Sequence, residues 1–393
     1  MFKGLFRLTG VVVLVCSAVS TALGADGGKQ VYSGTLGNSP IVLEVNTDNA
    51  KDVSGRYFYQ KYRKDLMLRG EKDGEALRFE EGNDRDNEGK PRPNIRLQPT
   101  SNGLSGEWTS PQGKVLKIEL LRAKLPPVPV GTLPYLATLH DVSSYEYLRL
   151  QGMKLKQGKA ETFMGYTLQW WSEPQSGMSL FEVISGYTAE ELQRINQQLM
   201  GRLWQQVVSF HDCLTQPGMY VYSQTADPLW MSPSVISVNI KAESNCGGSY
   251  SDERDMPFNL DTKTGKTLAL EDVLWIGQGE PQYYELNPLD DKASNDAYLA
   301  YSEYRTKELA PWLVGQLRTL YPEEVTTTTD RNDGCVYGEE QSWIFPSWYF
   351  TDQGIKLLPS FAHNQAMCRN VEWSVLPYNL IKQHPGHVAL KLP

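Results

Sequence analysis

Cysteine and histidine are both scarce in this chain, with five of each among its 393 residues. No Cys-x-x-Cys pair, His-Glu-x-x-His helix or Gly-x-Ser-x-Gly elbow is present, so the usual signatures of zinc sites and activated nucleophiles are missing. Gly265, Lys266 and Thr267 resemble the end of a phosphate-binding loop, but Leu260 stands where the first glycine of that loop belongs. The motifs therefore predict no catalytic residue, no metal site and no cofactor.

An excess of positive charge is also absent. The formal net charge is −8 and the isoelectric point lies near 5.3, which disfavours nucleic acid and anionic membranes as partners. The same charge leaves room for a basic partner.

No hydrophobic run reaches the roughly 20 residues that span a bilayer. The longest run near the N-terminus covers residues 11–19, follows Lys3 and Arg7, and precedes small residues up to Gly24. That order is typical of a secretory signal peptide, although a retained anchor is the alternative. We predict that residues 1–24 are removed on export, which leaves a periplasmic or secreted protein without a membrane span.

Four cysteines remain once Cys16 leaves with the predicted signal peptide. An even number in an exported chain is typical of disulfides, and four cysteines allow three pairings. We favour Cys213–Cys246 and Cys335–Cys368, because each pair is close in sequence. On the chain-entropy estimate each bridge would contribute about 3–4 kcal/mol.

Residues 29–123 alternate between short apolar runs and turns rich in Gly, Asn and Asp, which predicts an antiparallel meander of eight strands, closed or nearly closed into a small barrel. Two Gly-x-aromatic pairs, Gly55/Tyr57 and Gly106/Trp108, put a small and a large residue on one face, as a barrel interior requires. A stiff, proline-rich linker is predicted over residues 124–134.

Residues 135–383 predict an α+β domain in which two helical regions lie on an antiparallel sheet. Thr188 and Glu191 form a capping box ahead of an apolar stripe at helical spacing, and a second helical region runs from Ala293 to Leu320 with a break expected at Pro311. A hairpin turn is expected over residues 261–265, and the tail 384–393 is expected to be loosely held. The strands expected in this part centre on residues 145–150, 167–171, 180–184, 220–222, 235–240, 258–260, 268–270, 343–345, 348–350, 355–358 and 372–375.

The N-terminal pattern resembles a family of exported bacterial β-meander domains. Its elements here are Gly55 to Tyr59, Leu68 to Gly70, Leu77 to Glu81 and Leu104 to Trp108. This resemblance implies a fold and no activity.

The C-terminal part resembles an envelope domain of unknown function, found in the extracellular part of a lysozyme-sensing anti-sigma factor and in a peptidoglycan deacetylase. The resemblance rests on residues 185–196, on the Gly247-Gly248 pair with the string from Phe258 to Leu274, and on residues 350–354 and 377–380. It implies lysozyme or peptidoglycan as a partner. Family members often carry a His after the two glycines, whereas Ser249 and Tyr250 stand here, so a role for that His does not transfer.

The binding residues that we predict are in the loop after the fifth expected β-strand of this domain, which covers residues 235–240. Two consecutive glycines permit unusual backbone, and loops on rigid sheets often carry recognition residues. A tight turn required by the disulfide at Cys246 explains the same glycines equally well. The predicted binding residues are Asn245, Gly247, Gly248, Ser249 and Tyr250.

The functional hypothesis that follows is a non-enzymatic envelope protein that binds a macromolecule, with lysozyme or peptidoglycan implied by the resemblance. A glycan hydrolase or deacetylase is the first alternative, since such enzymes use carboxylate pairs that carry no motif. Asp290 with Asp291, or Asp252 with Glu253 and Asp255, would be available for it. An envelope assembly module is the second alternative.

Overall fold

The computed structural model describes residues 29–82, 90–213, 220–246, 251–284, 291–326 and 334–392. The predicted signal peptide lies outside these residues. The described chain has a mixed α/β fold with a closed eight-stranded antiparallel barrel, three three-stranded sheets and six α-helices. None of these helices is long and apolar enough to cross a membrane.

The barrel confirms the predicted meander. Each strand pairs with its neighbour in sequence, and β1 pairs with β8 to close the sheet, so that Tyr32 lies opposite Arg122. Alternate residues fill the interior with side chains such as Leu43, Leu68 and Leu97, because successive side chains of a strand point to opposite faces. The strands are β1 Lys29–Leu36, β2 Ser39–Asn46, β3 Val53–Tyr59, β4 Asp65–Asp73, β5 Ala76–Glu81, β6 Asn94–Pro99, β7 Gly103–Thr109 and β8 Val115–Arg122.

Glycine is required where the barrel strands approach one another closely. A Cβ on Gly106 would lie 1.8 Å from the carbonyl oxygen of Arg96, well inside any real contact. Tyr57 and Trp108 belong to the interior cluster, as their pairing with glycines predicted. Both donate to Glu81 Oε2, from the Tyr57 hydroxyl at 2.6 Å and the Trp108 indole at 2.8 Å.

Two short helices follow the barrel, α1 Pro134–Val142 and α2 Ser144–Leu150. The strand expected over residues 145–150 is therefore wrong. The Glu146–Arg149 ion pair, with Nε 2.7 Å from Oε2, spans one helical turn, and Tyr145 lies one turn from Arg149 on the same helix face. This face packs on the barrel, where the Tyr145 ring meets Phe58 edge-on. Local strand propensity does not register this contact, because Phe58 is distant from Tyr145 in the sequence.

A three-stranded sheet and a long helix come next. The sheet has β10 Tyr166–Ser172 in its centre, flanked by β9 Lys156–Phe163 and β11 Ser179–Val183. Helix α3 spans Ala189–Cys213 and begins with the predicted capping box, in which Glu191 Oε2 accepts from the Thr188 amide at 2.9 Å. Its predicted apolar stripe is fully buried at Ile195, Leu199, Leu203 and Val207.

Strands β12 Tyr220–Met231, β13 Val235–Cys246 and β14 Asp252–Asp261 form the second sheet, with β13 in the centre. Gly265 has the positive φ of 71° expected in the turn after β14. The strand expected over residues 268–270 is reduced to one bridge between Leu260 and Thr267, followed by a short 3-10 helix, Leu270–Asp272.

The C-terminal part contains α4 Asp291–Tyr304, α5 Ala310–Leu320, β15 Ser347–Phe350, β16 Gly354–Leu358, β17 Val375–Pro377 and α6 Tyr378–Ile381. A π-helical turn, Arg305–Leu309, interrupts the second helical region just before the expected break, and Pro311 stands in the first turn of α5. The strand expected over residues 343–345 is wrong, since a 3-10 helix covers Glu340–Trp343. The indole of the fully buried Trp343 donates to the Tyr337 carbonyl at 2.8 Å.

The two disulfides are Cys213–Cys246 and Cys335–Cys368, the pairs that the sequence favoured. The first joins the end of α3 to the end of β13. The tail is not loosely held as expected: the Gly386 and Val388 amides donate to Val273 and Asp272, and Val388, Leu390 and Leu392 pack on the C-terminal core.

Candidate functional site

The candidate site is built on the polar face of the sheet β12–β13–β14. Along β13, Ile236, Val238 and Ile240 pack in the core under α3. The residues between them must point to the opposite face, because side chains alternate along a strand. That face carries Asn239, Lys241 and Glu243 in a row.

The strand register adds more charge to the same face. Lys241 lies opposite Asp255, and Glu243 lies opposite Glu253. On the other side of β13, Thr225 pairs with Lys241 and Ser223 pairs with Glu243. These side chains form a polar floor that spans all three strands.

A groove of about 560 Å³ lies over this floor. Its far wall comes from β15, β16 and the segment before β17, which contribute Tyr349, Leu358 and residues 370–372. The volume falls within the range of small-ligand pockets, and it is equally suited to a side chain or loop of a macromolecule. We call this feature the acidic groove, because four carboxylates and two cations line it: Glu243, Glu253, Asp255 and Glu372, with Lys241 and Arg254.

Buried polar contacts fix the wall against the floor. Ser237 donates to Asn259 at 2.5 Å, and Asn259 donates in turn to the carbonyl of Trp348 at 2.9 Å. The Phe350 amide completes the set by donating to Ser237 Oγ at 3.2 Å. Buried polar groups need such partners, so any shift of β15 against the sheet would leave several unsatisfied. The acidic groove is therefore preorganised.

Both lining cations are already engaged by carboxylates outside the lining set. The Lys241 ammonium lies 3.5 Å from Asp227, and Arg254 pairs with Asp252. By contrast, Glu243, Glu253 and Glu372 form no ion pair among the described residues. The acidic groove thus presents unpaired negative charge to the solvent.

Asp252, the ion-pair partner of the lining residue Arg254, is fixed as an anion. Arg369 donates to it at 2.9 Å, His363 lies 3.2 Å away, and Arg254 contacts its other oxygen. Partial burial favours the neutral carboxyl, but the hydrogen bonds from Arg369, Arg254 and His363 outweigh it and lower the pKa of Asp252 to about 2. Asp252 therefore holds no proton to donate at neutral pH.

Two further groups in and beside the acidic groove have unusual surroundings. Asn239 donates to Asp255, while its own Oδ1 is buried and has no hydrogen-bond partner among the described residues. On the wall, burial lowers the pKa of Lys356 to about 8, with the charge of Glu372 opposing the shift. Lys356 lies opposite Tyr349 in the β15–β16 pair.

The predicted binding residues lie next to the acidic groove only in part. Asn245 stands on β13, one alternation beyond Glu243, and its buried Oδ1 also has no partner among the described residues. Gly247, Gly248, Ser249 and Tyr250 fall outside the described residues.

The acidic residues that the sequence singled out have mixed outcomes. Glu253 and Asp255 line the acidic groove, whereas Asp252 is not among the lining residues and is held in ion pairs with Arg254 and Arg369. Asp290 lies outside the described residues, and Asp291 is the first residue of α4. Of the acidic residues singled out from sequence, Glu253 and Asp255 thus belong to the candidate site.

Several lining residues were missed from sequence. The alternation of Asn239, Lys241 and Glu243 with buried aliphatic residues was a usable signal for one polar strand face. No local signal connects Tyr349 or Glu372 to that strand, because more than a hundred residues separate them from Asn239.

The described residues contain no group of three or more His, Cys, Asp and Glu side chains that could hold a metal ion. No known protein-family model matches this chain, and the comparison with curated proteins found no similar sequence. The functional argument therefore rests on the geometry and charge of the acidic groove.

Proposed function

We propose that this chain is an exported envelope protein that binds a basic protein partner through the acidic groove, without chemical conversion of that partner. The observation that carries this proposal is that Glu243, Glu253 and Glu372, which line the preorganised acidic groove, form no ion pair among the described residues. A lysozyme is the kind of basic envelope-directed protein that the resemblance of the C-terminal part implies. The two disulfides suit export to the periplasm or beyond, where such bonds persist.

The Glu243–Glu253 pair supports a binding role because it costs stability. Like charges directly opposite each other on adjacent strands repel, and a neutral or mixed pair would serve the fold better. Within the described ranges neither residue forms an ion pair with a cation, although Lys241 and Arg254 are close along the chain. A basic partner would relieve this repulsion on binding. The free energy that the repulsion costs the unbound protein would then contribute to the affinity for that partner.

The charge of the acidic groove also predicts the salt dependence of binding. Complementary charge accelerates association between proteins, and added salt screens that attraction when the charges are exposed. Glu253 and Glu372 are exposed, so their contribution should weaken with salt.

The enzymatic alternative has weaker support. A glycan-cleaving pair needs one carboxyl group that is protonated near neutral pH. Asp252 does not fit that role, since its ion pairs keep its pKa at about 2. Turnover of peptidoglycan that is abolished by Asp255→Asn would favour this alternative over binding alone.

The experiment is a calorimetric titration of the oxidised mature protein with a c-type lysozyme at low and high salt, together with an assay of cell-wall lysis by the same lysozyme. Saturable binding that weakens with salt is the expected result, with inhibition of lysis if the bound lysozyme is occluded. Absence of binding at low salt would overturn the lysozyme version of the proposal. Binding of purified peptidoglycan fragments in its place would show a glycan-directed site.

A further inference from the structure

A second cavity lies at one end of the barrel, far in sequence from the acidic groove. The hairpins β2–β3, β4–β5 and β6–β7 surround this end, and the cavity measures about 770 Å³. Residues from seven strands line it, together with the loop 100–102. We call it the barrel mouth.

The strand register turns two cations toward the inside of the barrel mouth. Lys72 lies opposite Leu77, and Arg122 lies opposite Tyr32. Leu77 and Tyr32 both belong to the interior cluster of the barrel, and directly paired residues of neighbouring strands share a face. Lys72 and Arg122 therefore occupy the last inward-facing positions of β4 and β8.

No carboxylate of the described residues forms an ion pair with these cations. Neither Lys72 nor Arg122, nor the nearby Lys124, forms an ion pair within the described part of the chain, and Glu75 is the one carboxylate among the lining residues. Three cations against one carboxylate is the reverse of the balance of the chain, whose net charge is −8. The barrel mouth is thus a local positive site on an acidic protein.

The floor beneath the cations is apolar. Val45, Leu77 and Leu104 are buried there, and Tyr32 lies beside them with its hydroxyl donating to Gln30 at 2.6 Å. Burial raises the pKa of the Tyr32 phenol, and the positive charge of Arg122 opposes that rise. The guanidinium of Arg122 therefore lies close enough to interact electrostatically with Tyr32 at the floor, as well as with a charge at the rim.

We propose that the barrel mouth binds a small amphiphile with one acidic head group and a single apolar chain. The acidic head would pair with Arg122 and Lys72, since a guanidinium offers two parallel hydrogen bonds to a carboxylate. The apolar chain would cover Val45, Leu77 and Leu104, and the volume suits a ligand of this size. This site shares no lining residue with the acidic groove, so it stands independently of the proposed function.

The test is a calorimetric titration of the full mature protein with three probes: dodecanoate, dodecanol and inorganic phosphate. Dodecanoate should bind at least tenfold more tightly than either of the others, because it alone satisfies both the cations and the apolar floor. Equal binding of dodecanol would overturn the role of the cations. Equal binding of phosphate would overturn the role of the floor, and no binding of dodecanoate would overturn the site.

A charge variant tests the assignment of residues. Lys72→Gln/Arg122→Gln should weaken dodecanoate binding at least tenfold, whereas the matched control Lys114→Gln/Lys154→Gln removes two exposed charges elsewhere and should leave it unchanged. Thermal melts establish that both variants fold. Equal affinity of both variants would contradict the proposal, and the lysozyme titration of the Lys72→Gln/Arg122→Gln variant should match that of the parent protein.

Discussion

Replacement of Arg149 by Met should destabilise the protein strongly, because Arg149 joins α2 to the barrel through buried charge. Its side chain is fully buried and donates to both oxygens of Asp65, at 2.7 and 2.8 Å, and to Glu146 at 2.7 Å. Burial alone would lower the pKa of Arg149, but the carboxylates of Glu146 and Asp65 raise it instead. The guanidinium thus stays charged. Its removal leaves the buried carboxylates of Asp65 and Glu146 without their ion-pair partner Arg149.

The expected loss of stability depends on which ion pairs remain in the Arg149→Met variant. Removal of one partner from a buried pair costs roughly 3–5 kcal/mol. Arg56 stays 3.2 Å from both Asp65 and Glu146, so the lower end of that range, about 3 kcal/mol, is the expected loss. Arg149→Met/Asp65→Asn should recover at least about 1 kcal/mol of it, because the second change removes an uncompensated charge.

Urea unfolding followed by circular dichroism measures both free energies, and Arg96→Met on the exposed barrel surface is the control, expected within about 0.5 kcal/mol of the parent. A loss below about 1 kcal/mol for Arg149→Met would refute the reasoning, since it would place the network at the value of a surface ion pair. A double variant less stable than the single one would also refute it.

Three further perturbations have defined outcomes. Burial lowers the pKa of His211 from 6.5 to about 3 in the folded protein. As the pH falls below 6.5, His211 is therefore protonated in the unfolded chain before it is protonated in the folded one, which favours unfolding. Between pH 7 and pH 4.5 the parent protein should lose about 2–3 kcal/mol of stability that His211→Phe does not lose. Replacement of both Cys335 and Cys368 by serine removes a disulfide that joins residues 33 positions apart. This change should lower the free energy of unfolding, measured in urea without reductant, by about 3–4 kcal/mol. Gly106→Ala places a Cβ 1.8 Å from a carbonyl oxygen of the neighbouring strand and should cost about 3 kcal/mol. Gly315→Ala, on a helix with open space around it, should instead stabilise by up to about 1 kcal/mol, and a loss there equal to that of Gly106→Ala would contradict the steric argument.

The barrel and α3 were predictable because their signals are local. Strand alternation broken by turn residues gave the meander, and the Thr188–Glu191 box with its apolar stripe gave the helix. Helix α2 was missed because its face is determined by Asp65, a residue 84 positions from Arg149. Trp343 was placed in a strand for a similar reason, since its burial depends on packing that propensity does not encode.

The sequence singled out only two of the charged residues that line the candidate site, Glu253 and Asp255 on β14. Glu253 and Asp255 were singled out as a cluster, but their role depends on Glu243 across the strand pair and on Glu372 across the groove. The first relation needs the register of β13 and β14, and the second needs the packing of β15 on the sheet. Neither follows from the spacing of residues along the chain.

The most direct test of the central claim compares lysozyme binding by two charge-matched variants of the mature protein. Glu243→Gln/Glu253→Gln removes the opposed carboxylates of the acidic groove, whereas Glu71→Gln/Glu107→Gln removes two exposed carboxylates of the barrel. The account predicts at least a tenfold loss of affinity at low salt, about 1.4 kcal/mol, for the first variant and no change for the second. Equal affinities of the two variants would contradict the assignment of the acidic groove as the binding surface.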